Sequence, residues 1–126
     1  MTAGADGPAF DHLFVRVRDL PATRRFYVDL LGLQVVWESP HGTYLRLGGG
    51  DGFTVGFELG RDLPAELDEG IEIRVRVADV DATWARLRDA GVAVGAPPAD
   101  QRWGDRHAWL RDPSGHPVSI FSPSRR

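Results

Sequence analysis

Apolar and polar residues alternate in several short stretches of the chain, as they do in strands that bury one face. In residues 12–17 the odd positions are apolar, whereas His12, Phe14 and Arg16 fall on the opposite side. A similar alternation recurs in residues 53–59. Because successive side chains of a strand point to opposite faces, these strands are predicted to have one buried and one polar face.

An internal repeat relates the two halves of the chain at an offset of sixty residues. Residues 12–23 and 72–83 are identical at six of twelve aligned positions, and both pass from an alternating strand through an aspartate into a helical pattern. Such self-similarity is the signature of a duplicated structural unit. It predicts one domain over residues 1–126, built from two modules of about 10–59 and 71–122 with a linker at about 60–70.

Each module is predicted to contain one helix and, after it, three strands. The first helix is expected to begin near Leu20 and end at Gly32, and the second to run from near Asp81 to Gly91, because glycine favours helix ends. The later strands are predicted at residues 34–38, 43–47 and 53–59, then at 92–94, 106–111 and 117–121, with a long loop at 97–105. Three strands per helix favour an α+β fold over a parallel α/β sheet.

Composition excludes several function classes. All fifteen basic residues are arginine, and the net charge of −3 argues against a nucleic-acid partner. The chain has no cysteine and no lysine, which excludes thiolate nucleophiles and Schiff-base catalysis. No apolar run approaches the roughly 18–20 residues of a membrane span, and residues 1–9 lack a signal-peptide pattern. The expected location is therefore the cytoplasm, with no membrane partner.

An ordered set of motifs over about residues 10–122 carries a family resemblance. The set comprises His12, Asp19-Leu20, Arg25-Phe26-Tyr27, Leu31-Gly32-Leu33, Val80-Asp81-Ala82, Ala90-Gly91, Trp103-Gly104-Asp105-Arg106 and Asp112-Pro113-Ser114-Gly115. It resembles the vicinal oxygen chelate superfamily, which contains glyoxalase I, extradiol dioxygenases, and fosfomycin- and bleomycin-resistance proteins. The resemblance implies tandem βαβββ modules that form a curved, cup-shaped mixed sheet with helices on its outer face, usually in a homodimer.

The resemblance also implies where metal ligands would lie. By position these places are His12, Glu58, Glu72 and Ser119, although Glu72 stands where histidine is common and Ser119 where a carboxylate is expected. Because a serine hydroxyl is a poor ligand for a divalent ion, no resident metal or cofactor is expected. The alternative is an enzyme of glyoxalase, lyase or dioxygenase type, in which His12, Glu58 and Glu72 hold a metal or a glutamate acts as general base.

Aromatic and arginine residues favour a binding function. Trp103 lies in the loop of residues 97–105, Trp37 lies on an edge-like strand, and Tyr44 shares a strand face with Arg46. Rings and guanidinium planes suit a flat, conjugated ligand. The predicted ligand-binding residues are His12, Phe14, Trp37, Tyr44, Arg46, Gly56, Glu58, Glu72, Trp103 and His107. The sequence thus predicts a homodimeric protein, closest to the bleomycin-resistance branch, that sequesters an aromatic natural product or antibiotic.

Finer expectations concern four single residues. Gly56 is expected to leave room for the ligand, and His107 to lie at the rim of the cup. Trp109 is expected in the core, and His116 is expected to be exposed to solvent in a turn.

Overall fold

The computed structural model describes Pro8 and residues 10–50, 52–61, 63 and 70–124. The first module contains β1 (His12–Val17), α1 (Leu20–Arg24) with a π-helical continuation (Arg25–Leu30), β2 (Gln34–Glu38), β3 (Tyr44–Gly48) and β4 (Thr54–Leu59). The second contains β5 (Ile73–Arg76), α2 (Val80–Asp89), β6 (Ala99–Asp100), β7 (Asp105–Arg111) and β8 (Pro117–Pro123). No helix in these described ranges is long and apolar enough to cross a membrane.

The strands form two four-stranded mixed sheets with the same order, β1-β4-β3-β2 in sheet 1 and β5-β8-β7-β6 in sheet 2. In each sheet the first strand of the module runs parallel to the last, and the other pairs are antiparallel. The α+β fold of tandem βαβββ modules, predicted from the repeat, is confirmed.

The repeat extends to the ends of the helices. The Asp19 carboxylate accepts a hydrogen bond of 3.0 Å from the Ala22 N–H, and Asp79 caps the second helix in the same way. Gly32 and Gly91 follow the two helices with a φ of +87°, which glycine adopts without strain. The predicted helix positions are therefore confirmed to within two residues.

Two predicted elements differ from the structure. The first helix is not α-helical throughout, because the Leu31 N–H bonds to the Phe26 carbonyl across a wider π turn. The predicted strand at 92–94 is wrong: only Val94 forms an isolated bridge, and the edge strand is instead Ala99–Asp100, inside the predicted loop. Proline lacks the N–H that a strand ladder needs, so Pro97-Pro98 separates the two segments.

One face of each sheet packs against the helices. Val17, Tyr27 and Phe57 of the first module join Leu87 and Ile120 of the second in a single buried core. Fully burying such a side chain contributes about 1.5–3 kcal/mol. The opposite face of each sheet, turned away from the helices, is called here its open face.

A buried hydrogen bond connects the two modules. The Tyr27 hydroxyl donates to Asp112 Oδ2 at 2.8 Å, and Asp112 Oδ1 accepts from the N–H groups of Ser114 and His116, both at 2.9 Å. The Ser114 hydroxyl in turn accepts from the Arg18 N–H at 2.9 Å. Burial, assisted by the charge of Asp112, raises the pKa of Tyr27 well above its ordinary value.

Further hydrogen bonds from side chain to backbone join the modules, among them one from Arg18 to the Ser114 carbonyl. His116 Nε2 donates to the Arg16 carbonyl at 2.7 Å, and Arg86 donates to the Leu30 carbonyl at 2.9 Å. His116 is consequently partly buried against the first module, and the expectation that it is solvent-exposed is wrong.

The Tyr27→Phe substitution is expected to lower the free energy of unfolding by about 1.5–3 kcal/mol near neutral pH, because the Asp112 carboxylate loses a buried donor. Since folding raises the pKa of Tyr27, its contribution is complete below the unfolded-state pKa of about 10 and is lost as the pH rises above that value. Urea unfolding between about pH 7 and 11 should show the wild-type advantage shrinking at the alkaline end. No lysine titrates in that range to obscure the effect.

Tyr44→Phe is the matched control, because it removes the hydroxyl of the other tyrosine, which is partly exposed. Its free energy of unfolding is expected to change by about 0.5 kcal/mol or less. A Tyr27→Phe variant as stable as wild type, or a difference between the two that does not depend on pH, would contradict the role of this bond.

Candidate functional site

One row of side chains crosses all four strands of the open face of sheet 1. In register from edge to edge, the row consists of Trp37, Arg46, Gly56 and Phe14. Trp37 joins it because a β-bulge at Val36 shifts the alternation of β2 by one residue and so turns the indole to the open face. Trp37 is 53% exposed and Phe14 is 43% exposed, so the row presents apolar rings to solvent.

Tyr44 lies across this row and fills the space above the glycine. A Cβ atom built on Gly56 would lie 2.0 Å from the Tyr44 hydroxyl oxygen. Gly56 therefore makes room for Tyr44, and the expectation that it leaves space for a ligand is wrong. The Tyr44 hydroxyl accepts a hydrogen bond of 3.0 Å from Arg46, and its ring centroid lies 6.4 Å from that of Phe14 and 5.8 Å from that of Trp37.

Two guanidinium groups lie over these rings. The Arg16 guanidinium carbon is 5.2 Å from the Phe14 centroid, and that of Arg46 is 5.7 Å from the Tyr44 centroid. Glu58 lies between Tyr44 and Arg16 in register, and among the described residues it has no hydrogen-bond or ion-pair partner. Sheet 1 thus offers three rings and two cationic planes that suit stacking with a flat ligand.

A second aromatic cluster lies on the open face of sheet 2, centred on a fully buried histidine. The His107 ring stacks on Trp109, with centroids 4.4 Å apart, and on Phe121 at 5.7 Å. Trp103, which is 56% exposed, meets the same imidazole edge-on at 6.0 Å. His107 Nδ1 lies 3.2 Å from an Asp105 carboxylate oxygen. His107 is therefore not a rim residue, and Trp109 lies outside the core, contrary to both expectations.

The strand registers show which positions of the two open faces are equivalent. The equivalent pairs, from the first to the second module, are Phe14 and Arg74, Tyr44 and His107, Arg46 and Trp109, Gly56 and Ser119, and Glu58 and Phe121. Glu58 and Ser119, both implied by the resemblance as ligand positions, are therefore not equivalent in register but differ by two residues.

His12 and Glu58 lie too far apart to share an ion. In the parallel pair β1–β4, His12 is level with Thr54, whereas Glu58 is level with Arg16. Four residues of strand separate the two levels by about 13 Å, more than an ion can bridge. The His12 imidazole is instead 2.6 Å from the exposed carboxylate of Asp11.

Glu72 has partners of its own on sheet 2. Its Oε2 atom accepts from Arg74 at 2.9 Å and from the Ser119 hydroxyl at 3.0 Å. The described part of the chain contains no group of three or more histidine, aspartate or glutamate side chains placed to hold a metal ion. The structure consequently does not bring His12, Glu58 and Glu72 together within one chain.

The predicted ligand-binding residues divide between the two sheets. Those on sheet 1 or at its edge are His12, Phe14, Trp37, Tyr44, Arg46, Gly56 and Glu58, whereas Glu72, Trp103 and His107 belong to the second module. Among the described residues, no ring contact joins one aromatic cluster to the other. Sequence reasoning missed Trp109 and Phe121, although their two-residue spacing from His107 and Ser119 placed them on the same faces.

Comparison with known proteins identifies the family. A model of the glyoxalase/bleomycin resistance protein/dioxygenase superfamily matches residues 9–120. The chain belongs to this superfamily. The resemblance drawn from its sequence motifs is thereby confirmed, and the two-sheet architecture is the one that members of the glyoxalase/bleomycin resistance/dioxygenase superfamily share.

Two solved structures from Streptomyces sp. CB03234 share the fold and more than a quarter of the sequence. TnmS3, an antibiotic binding protein, superposes with a TM-score of 0.74 and 28% identity over 96% of this chain and 100% of its own. A glyoxalase/bleomycin resistance protein superposes with a TM-score of 0.66 and 29% identity over 89% of this chain and 99% of its own.

A curated relative from Mycobacterium tuberculosis, the uncharacterized protein Rv0887c, is 42% identical to this chain over 55 residues. The matched segment is 44% of this chain and 32% of Rv0887c. The chain thus matches about a third of the length of this relative.

Protein purified without chelators is expected to carry divalent metal at well below one ion per chain, because His12 and Glu58 stand about 13 Å apart along their strands. Elemental analysis measures the metal content directly. A value near one ion per chain that falls in Glu58→Ala, but not in the exposed control Glu38→Ala, would show that these residues do hold a metal.

Proposed function

We propose that this protein binds an aromatic natural product or antibiotic without altering it and so acts as a self-resistance protein. Sequestration needs no bond making, because each occupied site removes one molecule from solution and mass action lowers the free concentration. The likeness to TnmS3, an antibiotic binding protein, supports binding over turnover.

The observation that carries the proposal is the pair of aromatic clusters on the open faces. Large rings are left exposed at Phe14, Trp37 and Trp103, by 43%, 53% and 56% of their surfaces. Large apolar side chains exposed to solvent within a cluster favour an interaction site in a soluble protein. A planar conjugated ligand would cover these rings and stack on them, and the guanidinium groups of Arg16 and Arg46 would add cation–π contacts.

The proposed site takes its two walls from two chains. Within one chain, no ring contact between described residues joins the cluster around Tyr44 to the cluster around His107, so in this proposal a ligand on either face has one wall. Homodimers are usual in the superfamily that the sequence resembles. In the proposed homodimer, the open face of sheet 1 of one copy faces the open face of sheet 2 of its partner, with the ligand between them.

Trp103→Ala is expected to weaken ligand binding several-fold, because stacking on one indole contributes on the order of 1 kcal/mol. Its stability should change little, since the side chain is more than half exposed. Titration of intrinsic tryptophan fluorescence against polycyclic, enediyne and glycopeptide compounds measures the affinity. Trp84→Phe is the matched control, because Trp84 belongs to α2 and packs against the core on the helix side of the sheets, away from both open faces.

Recovery of unmodified ligand after the titration distinguishes sequestration from catalysis. Saturable quenching with intact ligand supports the proposal. Conversion of the ligand would instead favour the enzyme alternative, in which Glu58 or Glu72 acts as general base. An unchanged affinity in Trp103→Ala would contradict the placement of the ligand against sheet 2.

Light scattering of the dilute protein is expected to give a molar mass of twice 13.9 kDa, that of a dimer.

A mixing experiment tests whether two chains build each site. Trp37→Ala damages the sheet 1 wall and Trp103→Ala damages the sheet 2 wall. When the two variants exchange subunits, a mixed dimer has one site with both walls damaged and one with both intact. In an equal mixture half of the dimers are mixed, and half of their sites are intact. About a quarter of all sites should therefore recover wild-type affinity.

Recovery of this kind cannot occur if both walls belong to one chain, because every chain in the mixture is damaged. A monomer at micromolar concentration, or a mixture that binds no better than either variant alone, would contradict the two-chain site.

A further inference from the structure

The second open face contains a buried polar atom that the fold does not use. His107 is fully buried, and its Nε2 atom has no hydrogen-bond partner in the described part of the chain. A buried polar atom without a partner costs free energy, and such atoms are rare in folded proteins. The rings of Trp109 and Phe121 on either side would stack equally well on a phenylalanine at this position. Packing alone therefore does not explain the imidazole.

The neighbouring carboxylate determines which kind of partner Nε2 can take. His107 Nδ1 lies 3.2 Å from Asp105, and a carboxylate accepts hydrogen bonds without donating. In the neutral imidazole the proton is therefore held on Nδ1, which leaves a lone pair on Nε2. The unpartnered atom is a hydrogen-bond acceptor, and it requires a donor.

The equivalent position in the first module shows what a completed arrangement looks like. Tyr44 stands where His107 stands in the second module, and its hydroxyl is paired with Arg46 at 3.0 Å. The position equivalent to Arg46 is occupied by Trp109, which stacks on the imidazole face. In the second module a stacked indole stands in place of the paired guanidinium, and no described residue donates to His107 Nε2.

We infer that His107 Nε2 accepts a hydrogen bond from a hydroxyl or ring N–H of the aromatic ligand, which assigns the ligand to the class of phenols and related donor-bearing polycycles. The inference rests on the proposed function and specifies the ligand of the same site. Trp103 meets the imidazole edge-on and is itself largely exposed, so a ligand stacked on that indole lies beside the His107 ring.

A matched pair of probes tests the inference. 2-Naphthol and 2-methoxynaphthalene have the same ring system, but only the first can donate. Isothermal titration calorimetry is expected to show wild type binding 2-naphthol about fivefold to tenfold more tightly, the value of one net hydrogen bond. His107→Phe keeps the ring stack and should bind both probes with the weaker affinity. The exposed control His41→Gln should behave as wild type.

Nitrogen-15 NMR provides a measurement that needs no variant. An unprotonated Nε2 has a nitrogen-15 chemical shift far from that of a protonated ring nitrogen. Addition of 2-naphthol should change the chemical shift of His107 Nε2, whereas addition of 2-methoxynaphthalene should not. A protonated Nε2 in the free protein at neutral pH would overturn the inference.

The outcomes separate this inference from the proposed function. Equal affinity of wild type for the two probes, or a naphthol preference that survives in His107→Phe, overturns the role of His107 while aromatic binding stands. Failure of wild type to bind either probe or any compound of the fluorescence panel overturns both. If His107→Phe does not fold, the probe pair and the NMR signal of the wild-type protein still decide.

Discussion

The buried hydrogen bond from Tyr27 to Asp112 joins the two modules within their shared core, and the exposed aromatic clusters depend on how the modules are placed. Asp112 also holds the turn that leads into β8, the strand that carries Ser119 and Phe121. With the helix sides of both sheets in one core, Phe14, Trp37 and Trp103 remain partly exposed on the other side. The arrangement that stabilises the chain therefore leaves one part of each aromatic cluster exposed.

Duplication of one module explains why the two open faces are alike in geometry and different in chemistry. Burial restricts the core side of each strand to apolar residues, so Val55 and Val118 are equivalent and identical. The open side has no such restriction, and Arg46 in one module corresponds to Trp109 in the other. A face that need not fill a core can change its side chains to suit a ligand without loss of the fold.

The sequence predicted what local chemistry and periodicity determine. The capping aspartates, the glycines after the helices and the alternation of β1 were sufficient for the α+β modules. The bulge at Val36, which decides where Trp37 points, and the π turn at Phe26 depend on tertiary packing and leave no periodic signal. Strand register was equally inaccessible, which is why Glu58 was grouped with His12 as a possible metal ligand.

Stacking alone would make a poorly selective binding protein, because every aromatic ligand has a π face that Trp37 or Trp103 can cover. Discrimination comes from buried polar atoms, since a ligand that lacks the complementary group leaves such an atom unpaired and loses affinity. In the proposed site, sheet 1 has already paired its Tyr44 hydroxyl with Arg46, whereas sheet 2 retains the lone pair of His107. The two modules would then divide the work of recognition: the first supplies apolar and cationic surface to any flat ring, and the second selects those rings that carry a donor.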